Sequence, residues 1–143
     1  MNDEHNELYE AIEAGDRALS SLKAAQSELK SAKNWGIIDL LGGELFTDLM
    51  KRSKMKKASH LMEAARRELQ IFERELRDVD VSSGLHLDTD DFLTFADFFF
   101  DGVIADYMMQ SRIAEARAAV DEVIVRVTYL LATLQEQYSK RMR

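Results

Sequence analysis

The stretch that decides the fold runs from residue 58 to residue 79 and reads ASHLMEAARRELQIFERELRDV. Its apolar residues recur at alternating steps of three and four, and the pattern begins one step earlier. The full set is Met55, Ala58, Met62, Ala65, Leu69, Phe72, Leu76 and Val79. A period near 3.5 residues places such a set along one stripe of a helix, and it is typical of helices that pack side by side.

Two other tracts have the same spacing. The first consists of Leu8, Ile12, Gly15, Leu19, Leu22, Gln26 and Leu29. The second consists of Phe92, Phe95, Phe99, Gly102, Asp106, Met109, Ile113, Ala116, Val120, Val123, Val127, Leu130 and Leu134. Three tracts in a chain of 143 residues predict one all-α domain that spans residues 1–143. We expect an elongated antiparallel three-helix bundle with coiled-coil-like packing.

The break after the first tract predicts where the first two helices meet. Helix one is expected from about Asp3 to Lys33, because Asn34-Trp35-Gly36 resembles a helix stop. The segment that follows is predicted to be an irregular or short-helix cap, with a short helix from Glu44 to Arg52. Ser53 is then a suitable N-cap for the second long helix.

The second break lies between residues 80 and 88, where Ser82-Ser83-Gly84 predicts a loop. The second long helix is therefore expected to end near Asp78. Thr89 is a suitable cap for the third helix, which we expect to continue to about Arg141. Gly102 is a candidate bend within it.

The composition narrows the class of protein. The chain has no proline, which suits long helices, and no cysteine, which excludes disulfides and thiolate chemistry. Its N-terminal segment is acidic and polar, unlike a secretory signal, and no segment is apolar for long enough to span a bilayer. We therefore expect a cytoplasmic location. A formal net charge of −7 argues against nucleic acid as a partner.

Two motifs resemble those of a known family. Residues 35–43 read WGIIDLLGG and residues 95–102 read FADFFFDG, with a basic stretch between them. Over about the middle two-thirds of the chain, these motifs resemble an uncharacterised family of bacterial helical proteins. The resemblance implies kinship with that family and brings no known activity.

The same two segments supply a candidate interaction or cap site. Its residues are Trp35, Asp39, Phe95, Asp97, Phe98, Phe100, Asp101 and Asp106. The simplest interpretation is that the Trp35 segment packs over the phenylalanines as a cap, and the alternative is an exposed apolar patch for a partner or membrane. Asp106 falls on the core stripe, so we expect it to be at least half buried and hydrogen-bonded to the Trp35–Gly43 segment. The alternative is that it lies at the edge of the core.

Charge is segregated next to this site. Five cations, which form a candidate anion or lipid patch, occur between residues 51 and 57: Lys51, Arg52, Lys54, Lys56 and Lys57. They either pair with acidic residues inside the bundle or bind an anionic surface. Asp97 and Asp101 lie four residues apart and form a weak candidate for a metal ion.

Catalytic patterns are missing from the sequence. The three histidines form no metal-binding pair, and no phosphate-binding loop or nucleophile elbow occurs. We therefore expect no catalytic residues and no cofactor. The function predicted first is a protein–protein interaction or scaffold module that associates with itself or with a protein partner. The alternative is peripheral binding to an anionic membrane surface through Lys51–Lys57, and the third is a metal-dependent activity at Asp97 and Asp101.

Overall fold

The computed structural model describes the backbone of residues 2–40, 44–83 and 113–142, and the side chains of residues 6–30, 56–79 and 116–140. It contains the helices α1 (Asn2–Leu40), α2 (Glu44–Ser83) and α3 (Ile113–Met142). Helix α1 packs against both α2 and α3, and the described ranges contain no strand. The predicted all-α three-helix bundle is confirmed. None of these three helices is long and apolar enough to cross a membrane.

Ion pairs between α1 and α2 establish the direction of α2. Arg17 Nε lies 3.8 Å from Glu68 Oε2. Farther along the same seam, Lys57 Nζ lies 3.6 Å from Glu28 Oε2. Later residues of α1 therefore meet earlier residues of α2, and the two helices are antiparallel.

Contacts between α1 and α3 show the same relationship. Gln26 Nε2 donates a hydrogen bond of 2.6 Å to Asp121 Oδ1. Nearer the start of α1, the rings of Tyr9 and Tyr138 lie 6.4 Å apart between centroids. Helix α3 is therefore also antiparallel to α1, and α2 and α3 run parallel to each other.

The core is a line of buried apolar side chains along each helix. On α2, all seven predicted stripe residues from Ala58 to Val79 are buried. On α3, the prediction is confirmed for Ala116, Val120, Val123, Val127, Leu130 and Leu134, and Leu131 is also buried. Met55 lies outside the residues whose side chains are described, and so does the part of the third predicted tract from Phe92 to Ile113.

The stripe of α1 is displaced from the predicted one. Leu8, Gly15, Leu22 and Leu29 are buried as expected. The other predicted members, Ile12, Leu19 and Gln26, are only partly buried. Fully buried positions in their place are Ala11, Ala18 and Ala25. The physical reason is that small side chains at a contact let helix axes approach closely, while Ile12 and Leu19 pack at its edge.

Two predicted helix boundaries are wrong. Helix α1 continues through Trp35 to Leu40, and α2 begins at Glu44 without a break at Ser53. A glycine inside a helix costs only about 1 kcal/mol relative to alanine, so Gly36 permits a stop without requiring one. The helical backbone thus includes most of the predicted cap.

The end of α2 also differs from the prediction. The helix continues to Ser83 instead of ending near Asp78, so the first four residues of the predicted 80–88 loop are helical. No proline follows to stop it. The predicted cap at Thr89 and bend at Gly102 lie outside the described residues.

Candidate functional site

Most of the site predicted from the sequence lies outside the described residues. The backbone of Trp35 and Asp39 belongs to the last turns of α1, but their side chains are not among those described. The remaining predicted members lie in the segment 84–112, outside the described ranges: Phe95, Asp97, Phe98, Phe100, Asp101 and Asp106.

The predicted basic patch is described in part. Lys51, Arg52 and Lys54 have helical backbones in α2, and their side chains lie outside the described set. Lys56 and Lys57 are exposed. Lys57 forms the ion pair with Glu28 on α1, so one cation of the patch is engaged within the bundle.

Three carboxylates converge at the seam between α1 and α2. Glu7 and Glu10 lie on α1, Glu75 lies on α2, and one oxygen from each lies within 4.8 Å of the others. The antiparallel register brings them together. The first sixteen residues of the chain carry no Lys or Arg, and this acidic end of α1 lies beside the C-terminal half of α2. We call these three residues the carboxylate cluster.

The surroundings raise the pKa of the Glu75 carboxyl above its ordinary value. Burial contributes most, and the negative charges of Glu10, Asp78 and Glu7 follow. A hydrogen bond shared with Glu10 acts in the same direction. Burial removes hydration from the charged form, the neighbouring negative charges repel it, and the hydrogen bond stabilises the protonated form, so each influence favours the neutral carboxyl.

The carboxylate cluster has the oxygen ligands that divalent cations use. Acidic side chains also gather at protein surfaces without an ion, and Glu10 is exposed. The geometry therefore establishes a carboxyl with raised proton affinity, and by itself it does not define a metal centre.

A second feature is an apolar surface on α3, on the side away from the core. Val125 is 67% exposed and Tyr129, one turn later, is 73% exposed. They belong to an exposed line of residues that we call the outer face of α3: Ala118, Glu122, Val125, Tyr129, Ala132 and Glu136. Among the described side chains, the other exposed large hydrophobic residues are Tyr9 at 50% and Ile71 at 37%.

Neither the outer face of α3 nor the carboxylate cluster was predicted from the sequence. The outer face of α3 repeats the spacing of the core stripe two residues later, which is nearly the opposite side of a helix. A search for a second stripe would have found it. The carboxylate cluster has no such signal, because Glu75 meets Glu7 and Glu10 only through the register between two helices.

Comparison with known proteins finds no matching family model, no similar curated protein and no similar solved structure. The class that the described residues define is an all-α three-helix bundle. The resemblance to an uncharacterised bacterial family stays a prediction.

Proposed function

We propose that this protein is an interaction or scaffold module that associates with itself or with a protein partner through the outer face of α3. The observation that carries the proposal is the exposure of Val125 and Tyr129 on a helix whose opposite side is the bundle core. A large apolar side chain gains by leaving water, and a tyrosine also offers a hydroxyl for hydrogen bonding. Tyrosine in particular is enriched at protein interfaces.

Charged residues border this apolar pair. Glu122 accepts a hydrogen bond of 3.1 Å from Arg126, and Lys140 lies 3.3 Å from Glu136. Both pairs join residues four apart on an exposed helix surface, where an ion pair contributes about 0.3–0.5 kcal/mol. An apolar centre with a polar rim is the usual anatomy of a protein interface.

The core holds this face in a fixed orientation. Val123 and Val127 flank Val125 in the sequence and have no exposed surface. The mechanism we propose is the presentation of a preformed surface, without covalent chemistry or a cofactor. A rigid surface loses less conformational entropy on binding than a flexible one.

The test is a paired comparison of two variants in the full chain. Val125→Ser with Tyr129→Ser removes the apolar centre of the outer face of α3. Ile71→Ser is the matched control, because it removes an exposed apolar side chain from α2 instead. Self-association is measured by analytical ultracentrifugation, and protein partners are identified by mass after purification from the native cells.

We expect a dimer or a partner seen with the wild type to persist with Ile71→Ser. The same dimer or partner should be lost with the double variant Val125→Ser/Tyr129→Ser. Equal retention by both variants contradicts the proposal. Circular dichroism should give the same helicity for all three proteins, which separates loss of binding from unfolding.

Other parts of the proposal rest on the sequence. The alternating three- and four-residue spacing of the buried side chains supports coiled-coil packing between the helices. A cytoplasmic location and a bacterial origin are proposed from composition and from the family resemblance. A metal site at Asp97 and Asp101 stays a prediction, because both residues lie outside the described part.

A further inference from the structure

The outward surface of α2 is basic. Between residues 56 and 77, every exposed residue that carries a full charge is a cation: Lys56, Lys57, Arg67, Arg74 and Arg77. The four acidic residues of the same stretch are only partly exposed: Glu63, Glu68, Glu73 and Glu75. Within this stretch the cations are turned outward, and the next residue, Asp78, is an exposed acid at its end.

The spacing of the cations aligns them. His60, Arg67 and Arg74 are seven residues apart and exposed, so they form a line on the side of α2 away from the core. Lys56 and Arg77 extend this line by one turn at either end. The whole line covers 21 residue steps, or about 32 Å of helix.

Two of these five cations are paired with acidic side chains in the described part of the chain. Glu68 and Glu75 extend toward α1, where Glu68 meets Arg17. Arg77 donates a hydrogen bond of 2.6 Å to Glu73, and Lys57 pairs with Glu28. Within the described part of the chain, Arg67 and Arg74 form no ion pair.

We propose that this basic line of α2 docks on the surface of an anionic lipid bilayer. It extends the Lys51–Lys57 patch along the helix through residues that the patch does not contain, above all Arg67 and Arg74. The inference does not depend on the outer face of α3, so either proposal can fail without the other.

The geometry favours a continuous anionic surface over a discrete ligand. The cations lie in a row along the helix, whereas a bound phosphate requires cations that converge on one point. One large apolar side chain, Ile71, stands between Arg67 and Arg74 and is 37% exposed. The other exposed residues of the line are polar or charged, so the contact is mainly electrostatic and is weakened by salt. Each Lys or Arg held near an anionic membrane strengthens binding about fivefold.

The acidic parts of the chain orient the protein on such a surface. The exposed residues Glu10, Glu13 and Asp16 concentrate negative charge on the first half of α1. An anionic bilayer repels that region and attracts the outward side of α2. The chain has a net charge of −7, so we expect it to dock with the outward side of α2 toward the bilayer and the exposed acidic residues of α1 away from it.

The test is co-sedimentation of the full chain with vesicles of phosphatidylcholine alone or with phosphatidylserine. We expect binding only to the phosphatidylserine vesicles, with loss at high salt. Arg67→Glu with Arg74→Glu should weaken this binding at least 25-fold, because two cations are lost at about fivefold each. Arg67→Gln with Arg74→Gln gives a milder change if charge reversal disturbs folding, which circular dichroism monitors.

The matched control is Lys23→Glu with Lys30→Glu, which makes the same change of charge at exposed positions of α1. It should alter binding much less than the α2 variant. Equal loss with both variants would mean that only net charge matters, and this overturns the proposal. Failure to bind phosphatidylserine vesicles at low salt overturns the proposal as well. If the chain then binds polyglutamate instead, its partner is an acidic protein and not a membrane.

Discussion

Gly15 of α1 lies directly beneath Leu131 of α3. A methyl group added at Gly15 would stand 2.6 Å from Leu131 Cδ2 and 2.9 Å from Phe72 Cε1 of α2. Both distances are shorter than any normal carbon contact. Side chains from both neighbouring helices thus converge on Gly15, the one glycine among the described core positions of α1, and leave no room there for a larger residue.

Gly15→Ala is therefore expected to destabilise the protein. Overpacking a core typically costs about 1–3 kcal/mol. Alanine returns about 1 kcal/mol through its higher helix propensity. We expect the free energy of unfolding to fall by up to about 2 kcal/mol in urea denaturation. A stabilisation by the full helix-propensity gain would show that the contact with Leu131 is absent.

Measuring Gly15→Ala in a protein that also carries Leu131→Ala tests whether the contact between the two residues causes the destabilisation. Leu131→Ala alone should lower the free energy of unfolding by about 2–5 kcal/mol, because it leaves a cavity in the core. Gly15→Ala should then cost less in this background than in the wild type, because the closest clash is gone. Additive effects would mean that the two residues do not touch.

Glu75→Gln is expected to stabilise the protein at neutral pH. The raised pKa of Glu75 means that burial and the nearby charges of Glu10, Asp78 and Glu7 oppose its ionisation. Glutamine keeps the shape of the side chain and removes the charge. Thermal unfolding at pH 7 should give a higher Tm for the variant, whereas an unchanged Tm would mean that the cluster is fully hydrated.

The pH dependence has a definite sign. The folded state binds a proton at Glu75 more tightly than the unfolded chain, whose pKa is close to 4.5. The stabilising effect of that proton is present below pH 4.5 and is lost as pH rises through the higher pKa of the folded state. The advantage of Glu75→Gln should therefore grow with rising pH and disappear below pH 4.5. An advantage independent of pH would contradict the assignment.

The hydrogen bond between Gln26 and Asp121 ties α1 to α3 near the surface. A double-mutant cycle with Gln26→Ala and Asp121→Ala should give a coupling energy of about 0.5–1.5 kcal/mol. A second cycle with Gln26→Ala and Glu122→Ala is the control, because Glu122 pairs with Arg126 instead. Its coupling should be close to zero, and equal couplings in the two cycles would exclude a specific bond.

Replacing a small buried residue of α1 by a larger one should destabilise the protein. Ala18 is fully buried within the line that also contains Ala11 and Ala25. Ala18→Leu should lower the free energy of unfolding by about 1–3 kcal/mol through overpacking. Ala24→Leu, at an exposed position six residues later, should change it by no more than about 0.5 kcal/mol. Similar values for both variants in urea denaturation would show that the α1 stripe is not closely packed.

For the outer face of α3, the spacing of apolar residues predicts which side chains are exposed but not what they bind. The stripe of Val123, Val127 and Leu130 predicted the buried side of α3 correctly. The same helix places Val125 and Tyr129 on the opposite side, so their exposure follows from the same period. The spacing does not identify the partner that Val125 and Tyr129 would contact, because many different apolar surfaces could pack against them.

The sequence by itself determined the fold class and most of the core. Apolar residues at steps of three and four can be buried together only if the chain is helical, and this holds whatever the helices pack against. The sequence did not determine which of two adjacent α1 stripes faces inward. Ile12 and Ala11 both satisfy the period, and only the close approach of α2 and α3 selected the smaller side chain.

Tertiary structure alone decided where the charges meet. Arg17 opposite Glu68 gives an attractive pair, whereas Glu75 beside Glu7 and Glu10 gives a repulsive group on the same seam. Both results depend on the antiparallel register of α1 and α2, which relates residues more than fifty positions apart. Local periodicity specifies which side of a helix a residue occupies, and only packing specifies which residue of another helix lies opposite it.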